Sequence, residues 1–393
     1  MKKVVVLGAG YASLAFLKKL QPKVLESAQV TLISRYDYHY TSILLHEIVS
    51  GAKSDVTLRL KDILPHGVEI IKDNVLEIKA NEVVGEKQSY EYDYLIVGLG
   101  FGSDDFGIQG VREHSTPIVD FVNAKALKEK LIAQIQKYKQ TRDANDLKIA
   151  VCGGGFSGIE TISSLVFNLK KLCQKEGVSP NLLELTCIEA MPDILPMFSA
   201  PLVTKAKEFL QNQGVRLAVG CKILRCEANK VIVEKDGAEQ VFDAGVIIWT
   251  AGVRGSSVIE NSKFFTSGRS KVEVSAYLQP INQENQSLMG NVYVIGDCAA
   301  LKDPVSGRFY PPTAQIAIKQ GEYLAEAFNA RLLGGNIREF SYEAQGTICS
   351  LGESYAIGIV GKREVSGFVA IALKRLIEKK WVVKLLGLRG LWR

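Results

Sequence analysis

The stretch Val4-Val5-Val6-Leu7-Gly8-Ala9-Gly10-Tyr11-Ala12-Ser13 reads as a buried strand, a tight glycine turn and the first residues of a helix. Apolar β-branched residues favour the strand, and the glycines let the backbone turn sharply and approach a phosphate at the helix N-terminus. The same order recurs at Ile149-Ala150-Val151-Cys152-Gly153-Gly154-Gly155-Phe156-Ser157-Gly158. A third element, Asn291-Val292-Tyr293-Val294-Ile295-Gly296-Asp297, comes late. One such turn would suit a dehydrogenase. Two, with a later strand that ends in Gly-Asp, predict a protein that binds both FAD and a nicotinamide nucleotide.

Strand-like and helix-like patterns alternate outward from each turn. Strands are expected near 29–33, 68–71, 75–78 and 94–97 after the first turn, and near 183–188, 230–234 and 245–249 after the second. This alternation predicts an α/β fold with two Rossmann-like dinucleotide-binding domains and parallel sheets. Tyr94 to Gly100 closes the first block as Val246 to Gly252 closes the second. Small residues at such strand ends admit a cofactor to the backbone, which makes Gly252 a candidate on the nicotinamide side. The Gly296-Asp297 strand needs a sheet after the second block is complete, so the second domain is read as inserted in the first. The expected division is 1–110 and 275–330 for the FAD domain, 111–274 for the NADH domain and 331–393 for a C-terminal membrane-anchoring region.

Composition fits a globular chain, 47% hydrophobic and 23% charged, and excludes a disordered or fibrous one. No apolar run approaches the roughly 18 to 20 residues that cross a bilayer. The seven cysteines are odd in number and contain no Cys-x-x-Cys pair, so neither a disulfide framework nor a metal site is expected, and a reducing compartment is. Residues 367–393 hold seven Lys/Arg against one Glu, which accounts for the whole net charge of +6. No nucleic-acid partner is expected. Phe368, Leu373, Leu376, Ile377, Trp381, Leu385, Leu388 and Trp392 interleave with those charges, the composition of an anchor lying on an anionic lipid surface. In one continuous helix Lys380 and Lys384 would fall on the apolar side, so either they snorkel or the helix breaks near Gly387 and Gly390.

The first glycine turn departs from the usual pattern twice. Ser13 replaces the third glycine, and Thr31-Leu32-Ile33 runs into Ser34-Arg35 without the acid that would hold a ribose. In the second turn Gly153, Gly155 and Gly158 are all present, and Glu189 ends the next strand. A carboxylate there accepts from a ribose 2′-hydroxyl and repels a 2′-phosphate, favouring NADH over NADPH. Asp297 can accept from a flavin ribityl hydroxyl or orient a water on the pyrophosphate; capping the next helix is the plainer reading.

With these residues in place the chain resembles the type II NADH dehydrogenases, single-subunit NADH:quinone oxidoreductases, over essentially its whole length. The resemblance includes Tyr38-His39-Tyr40, Leu45-His46-Glu47, Trp249 to Gly255, Gly296-Asp297, Thr313-Ala314-Gln315-Ile316-Ala317 and Gly346 to Gly352. It implies hydride transfer from NADH to FAD and two-electron transfer to a membrane quinone, without proton pumping. FAD contacts are implied at Gly8, Ala9, Gly10, Tyr11, Ala12, Ser34, Arg35, Val75, Asp297, Ala314 and Gln315, with Lys374 a weaker candidate. Glu160 matches the family's glutamate near flavin and nicotinamide and is the implied catalytic residue, modulating NADH binding or relaying protons to quinone; a helix-dipole role is its plainer reading. Gln315 is the implied quinone contact. Lys319 stands where a second glutamine is usual, and its ammonium is a substitute donor.

A homodimer peripheral to the cytoplasmic membrane face is implied by the same resemblance. His39 and His46 read as packed or surface residues that the mechanism does not need. Cys221 and Cys226 have a redox-pair spacing at the wrong place in the chain. Two other functions fit the same architecture. A sulfide:quinone oxidoreductase would need a reactive cysteine pair, of which Cys349 is one possible member, and a flavin-bearing NADH-binding redox sensor would lack quinone turnover.

Overall fold

A computed structural model describes residues 1–282 and 286–392. Strand Lys2–Leu7 sits at the heart of a five-stranded parallel sheet, with Ala28–Ser34 and Val68–Lys72 on one side and Tyr94–Val97 and Val292–Val294 on the other. Val4 to Leu7 are buried on both faces, which is why this strand is a continuous apolar run rather than an alternating one. The second sheet repeats the plan. Lys148–Cys152 is central, Glu184–Ile188 and Val215–Ala218 follow on one side, and Val246–Trp249 and Ser115–Pro117 lie on the other, all parallel.

Two of the expected strands lie elsewhere. Val75–Ile78 joins Glu82–Gly85 and Ser89–Glu91, and Lys230–Lys235 joins Lys222–Glu227 and Ala238–Asp243, in separate antiparallel meanders. Their links are too short for the crossover that a parallel neighbour requires. Asp236 and Gly237, both at positive φ, form the two-residue turn between the second and third strands of the later meander.

The chain crosses between the two sheets at Phe101–Ser103 and Val253–Gly255, which pair antiparallel. After Val292–Val294 the helix Ala314–Leu333 packs across Tyr11–Lys19 so closely that a Cβ on Gly321 would fall 2.1 Å from the Ala12 carbonyl oxygen. Three antiparallel strands, Gly346–Ser350, Ala356–Val360 and Arg363–Ser366, then lead into the last long helix, Phe368–Leu386.

That helix is unbroken until Gly387, where φ is +63°. Ala370, Ile371, Lys374, Trp381 and Leu385 are buried on its inner face. Lys384 is neither in the core nor pointing to a lipid surface, because Glu322 of helix Ala314–Leu333 pairs with it. Phe368, Val369, Leu376, Ile377, Leu388 and Trp392 are exposed. Among the described residues no helix is long and apolar enough to cross a membrane.

Candidate active site

Each glycine loop is shaped by contacts that no larger residue permits. Gly8 has φ +84°, and a Cβ there would lie 2.5 Å from the Gly98 carbonyl oxygen. Gly153 has φ +115°, and a Cβ on Gly158 would meet the Gly153 carbonyl oxygen at 1.9 Å. The missing third glycine of the first loop is compensated across the sheet: Ser13 is buried, and Gly98 leaves the room, since a Cβ there would fall 2.2 Å from Ser13 Oγ. By contrast, a Cβ on Gly155 would meet nothing within 4 Å, and one on Gly10 nothing nearer than 3.9 Å.

Helices Tyr11–Lys19 and Phe156–Lys175 both begin without a side-chain cap. Their first N–H groups therefore face open space at the two loops, which is the donor set a pyrophosphate needs. The residues present fit two dinucleotides on this ground.

One cleft of about 1190 Å³ runs from the first loop across both domains to the C-terminal helix. Gly8, Ala9, Gly10, Tyr11 and Ala12 line it, as do Ser34, Arg35, Val75, Asp297, Ala314, Gln315 and Lys374. Glu160 and Gly252 line the same cleft. Gly153, Gly155, Gly158 and Glu189 lie off this cleft, in and beside the second loop. There Glu189 accepts from the N–H of Gly154 at 2.5 Å and from that of Met191 at 2.7 Å. The carboxylate is thus fixed at the loop by two backbone donors.

The structure does not bring Lys319 to the cleft. Its ammonium pairs with Glu322 at 2.9 Å on an exposed face. The neighbouring Gln320 is buried and its carbonyl oxygen accepts from the Gly296 N–H at 2.7 Å, so it supports the turn before Asp297. Gln315 accepts from the Tyr342 hydroxyl and from the Gln345 N–H, which leaves its NH2 as the end available to a ligand.

Glu160 sits on the second turn of its helix, so the dipole at the helix start does not explain it. Its Oε1 accepts from Lys374 Nζ at 2.7 Å, Ser350 Oγ at 2.9 Å and Ser350 N–H at 3.0 Å. Burial pushes the Glu160 carboxyl up, but the Lys374 ammonium and these hydrogen bonds outweigh it and hold the group below the ordinary carboxylate range. Burial works against the Lys374 charge too, and Glu160 and Glu378 reverse that, keeping it protonated. His46 Nδ1 lies 3.9 Å from Glu160, yet burial and Lys374 keep the ring below its usual pKa, so it stands as a neutral neighbour.

His39 is also packed, and burial lowers it to about 4. Trp381 Nε1–H donates to its Nε2 at 3.0 Å, while Nδ1 lies 2.9 Å from the Ala9 carbonyl oxygen. The C-terminal helix is therefore tied to the first glycine loop through a single neutral imidazole. Trp249 and Thr250 are structural as well. Trp249 Nε1–H donates to the Asp104 carbonyl and Thr250 Oγ1 to the Cys152 carbonyl, each at 2.9 Å, which fixes the strand end that carries Gly252.

All seven cysteines are free and buried. Burial raises the Cys349 thiol well above its ordinary value and Cys298 to about 11, so neither is a ready thiolate. Tyr342 and Glu378 went unread in the sequence, Ser350 appeared only within the Gly346–Gly352 segment, and Trp381, expected among the lipid-facing residues of the tail, is instead buried against His39 and Tyr11.

The pyridine nucleotide-disulphide oxidoreductase family profile matches residues 2–321, and the chain belongs to that family. Within it the chain falls among the type II NADH:quinone oxidoreductases. A protein of that description from Staphylococcus epidermidis is 37% identical over 402 residues, covering 98% of this chain and 96% of the relative. The fold is shared with an NDH2 from Plasmodium falciparum solved in complex with NADH, at 18% identity and TM-score 0.87, covering 99% of this chain and 96% of that one. A sulfide:quinone oxidoreductase from Aquifex aeolicus superposes with TM-score 0.77 at 20% identity, covering 99% and 92%.

Proposed function

We propose that this protein is an FAD-dependent NADH:quinone oxidoreductase that works at a membrane surface without spanning it. The observation that carries this reading is the single cleft joining the first glycine loop, the Glu160 wall and Gln315. Bound FAD supplies the chemistry of accepting a hydride and releasing electrons to a second substrate.

The residues of the chain bind, orient and separate the substrates. Gly8 to Ala12, with Ser34, Arg35, Val75, Asp297 and Ala314, would hold FAD along the cleft. Burial raises the Asp297 carboxyl, with Lys271 opposing, so it can present a proton or a lone pair to a hydroxyl. Gly153, Gly155 and Gly158 would hold the NADH pyrophosphate, and Glu189 its adenosine ribose. Gln315 would donate its amide to a quinone oxygen. The Lys374–Glu160 pair sits between the two substrate sides and fixes a charged, dry wall there. This reading keeps the division near 110, 275 and 330, for which the crossings at Phe101–Ser103 and Val253–Gly255 and the return strand at Val292–Val294 are the support.

The C-terminal helix serves two purposes in this reading. Its inner face closes the cleft, and its outer apolar residues with the basic side chains rest on an anionic lipid surface on the cytoplasmic side. Thiol chemistry has no group prepared for it, since the cysteines are buried and protonated. Steady NADH oxidation by a short-chain quinone tests the proposal. Flavin that is reduced by NADH but never reoxidised by quinone would leave a redox sensor instead.

A further inference from the structure

The buried cluster holds one acid more than its ion pair requires. Glu378 lies one turn after Lys374 on the C-terminal helix, with Oε1 3.9 Å from Lys374 Nζ and its side chain 15% exposed. It lines the cleft beside Ile377. At 3.9 Å the ammonium is outside hydrogen-bond distance, and Lys374 spends its short contact on Glu160.

The charges facing Glu378 come from four elements. Lys374 shares its helix, Glu160 projects from Phe156–Lys175, Glu47 and Lys53 form an ion pair at 2.9 Å on and just after Leu45–Ser50, and the Tyr11 phenol approaches from Tyr11–Lys19. Burial pushes the Glu378 carboxyl up, Lys374 pulls it back, and Glu47 and Glu160 push it further, to about 7.

The cleft that Gln315, Lys374 and Glu378 all line must deliver a proton. Reducing a quinone to a quinol takes two electrons and two protons, and NADH brings two electrons with only one proton, as a hydride. Glu160 is ionised in its pair with Lys374, Lys374 is held in its charged form, and His46 is neutral at the ring. Lys374 holds its protons against Glu160, which leaves Glu378 as the group of the cluster that can release one near neutral pH.

We propose that Glu378 supplies the second proton of quinone reduction, an inference that rests on the NADH-to-quinone reading above. The O–H bond of the Glu378 carboxyl breaks, its proton bonds to the quinone oxygen, and the carboxylate left behind is reprotonated by water entering past Glu47 and Lys53. No further oxidant or reductant is needed.

The test uses the flavin-loaded full chain with Glu378→Gln, which keeps the shape and removes the proton. Bleaching of the flavin by NADH should be unchanged, and so should its reoxidation by ferricyanide, which takes electrons without protons. Reoxidation by a short-chain quinone should slow on the order of 100-fold, the usual worth of a positioned acid. In the unmodified protein that step should slow as pH rises through about 7, since the acid form is the donor, and the break should vanish in Glu378→Gln. Glu378→Asp should restore part of the rate. Infrared difference spectra give a readout apart from turnover: a carboxyl band titrating near pH 7 should be shifted in Glu378→Asp and lost in Glu378→Gln. Quinone reoxidation within twofold of normal in Glu378→Gln, with the same pH profile, overturns the proposal alone. If that variant does not retain flavin, a missing carboxyl titration between about pH 6 and 8 in the unmodified protein overturns it. Failure of the unmodified protein to reduce quinone, with ferricyanide still reduced, overturns the parent reading and this one with it.

Discussion

Lys374, on the last long helix of the chain, holds its ammonium 2.7 Å from the carboxylate of Glu160, 214 residues earlier on the helix that follows the second glycine loop. Both side chains are nearly inaccessible, 11% and 8% exposed. The pair joins the nucleotide-binding half of the molecule to its C-terminal helix at the wall of the cleft.

Removing one partner should cost far more than removing both. Lys374→Met leaves a buried carboxylate without its counter-charge, at a cost of about 3–5 kcal/mol, while Glu160→Gln with Lys374→Met should recover most of that. Denaturant unfolding of the two variants checks it. The pH dependence has a defined sign. Glu160 is depressed in the folded state, so its contribution is present above the unfolded carboxylate pKa and fades as pH falls toward the depressed value. Lys374 is raised, so its share is present below the unfolded lysine pKa and lost only at alkaline pH.

Glu189 should make the enzyme discriminate between the two nicotinamide nucleotides. NADH should reduce the flavin much faster than NADPH, and Glu189→Gln should narrow the difference by removing repulsion of the 2′-phosphate. The variant should also lose some NADH affinity, because the one amide oxygen of Gln cannot replace the two carboxylate oxygens that accept from the Gly154 and Met191 N–H groups. Equal rates with both nucleotides in the unmodified protein would contradict the assignment.

Gln315→Ala should separate the half-reactions. If its free NH2 donates to the quinone as proposed, flavin reoxidation by quinone should slow by about tenfold, the worth of one lost hydrogen bond of roughly 1.5 kcal/mol, and reduction by NADH should barely change. Equal slowing of both would place Gln315 in flavin binding alone.

Membrane attachment should be separable from flavin binding at Leu388 but not at Trp381. A deletion beginning at Trp381 removes a buried ring that hydrogen-bonds His39 and packs 5.0 Å from Tyr11. Deleting residues 388–393 and replacing the exposed Leu376 by Ser spares that contact. Sedimentation with anionic vesicles should weaken while flavin absorbance stays. Each basic residue near such a surface is worth roughly 1 kcal/mol, screened beyond about 8 Å in physiological salt, so raised salt should release the intact protein only in part. Pelleting equal to that of the full chain would place the lipid contact elsewhere.

The glycine loops were legible because their constraints are local. Positive φ at Gly8 and Gly153 and the close approach at Gly158 act over a few residues, and each fixes a residue type. The placement of Val75–Ile78 and Lys230–Lys235 in separate antiparallel meanders was beyond reach of periodicity, which tells a strand from a helix but not which partner it takes. Lys319 was placed at the quinone by motif spacing, whereas Glu322, three residues on, claims its charge. The basic side chains of the C-terminal helix gave two readings for a similar reason: Lys384 finds its partner on a different helix, which no pattern within residues 367–393 reveals. The Glu160–Lys374 contact depends on the C-terminal helix closing over the cleft, a matter of packing between distant segments.

Stopped-flow spectroscopy of the flavin tests the central claim most directly. Mixed anaerobically with NADH, the protein should bleach in a single fast phase, and subsequent mixing with a short-chain quinone should return the full oxidised spectrum at a rate that supports steady turnover. Bleaching that NADPH produces as fast as NADH, or a reduced flavin that quinone leaves bleached, would contradict the account.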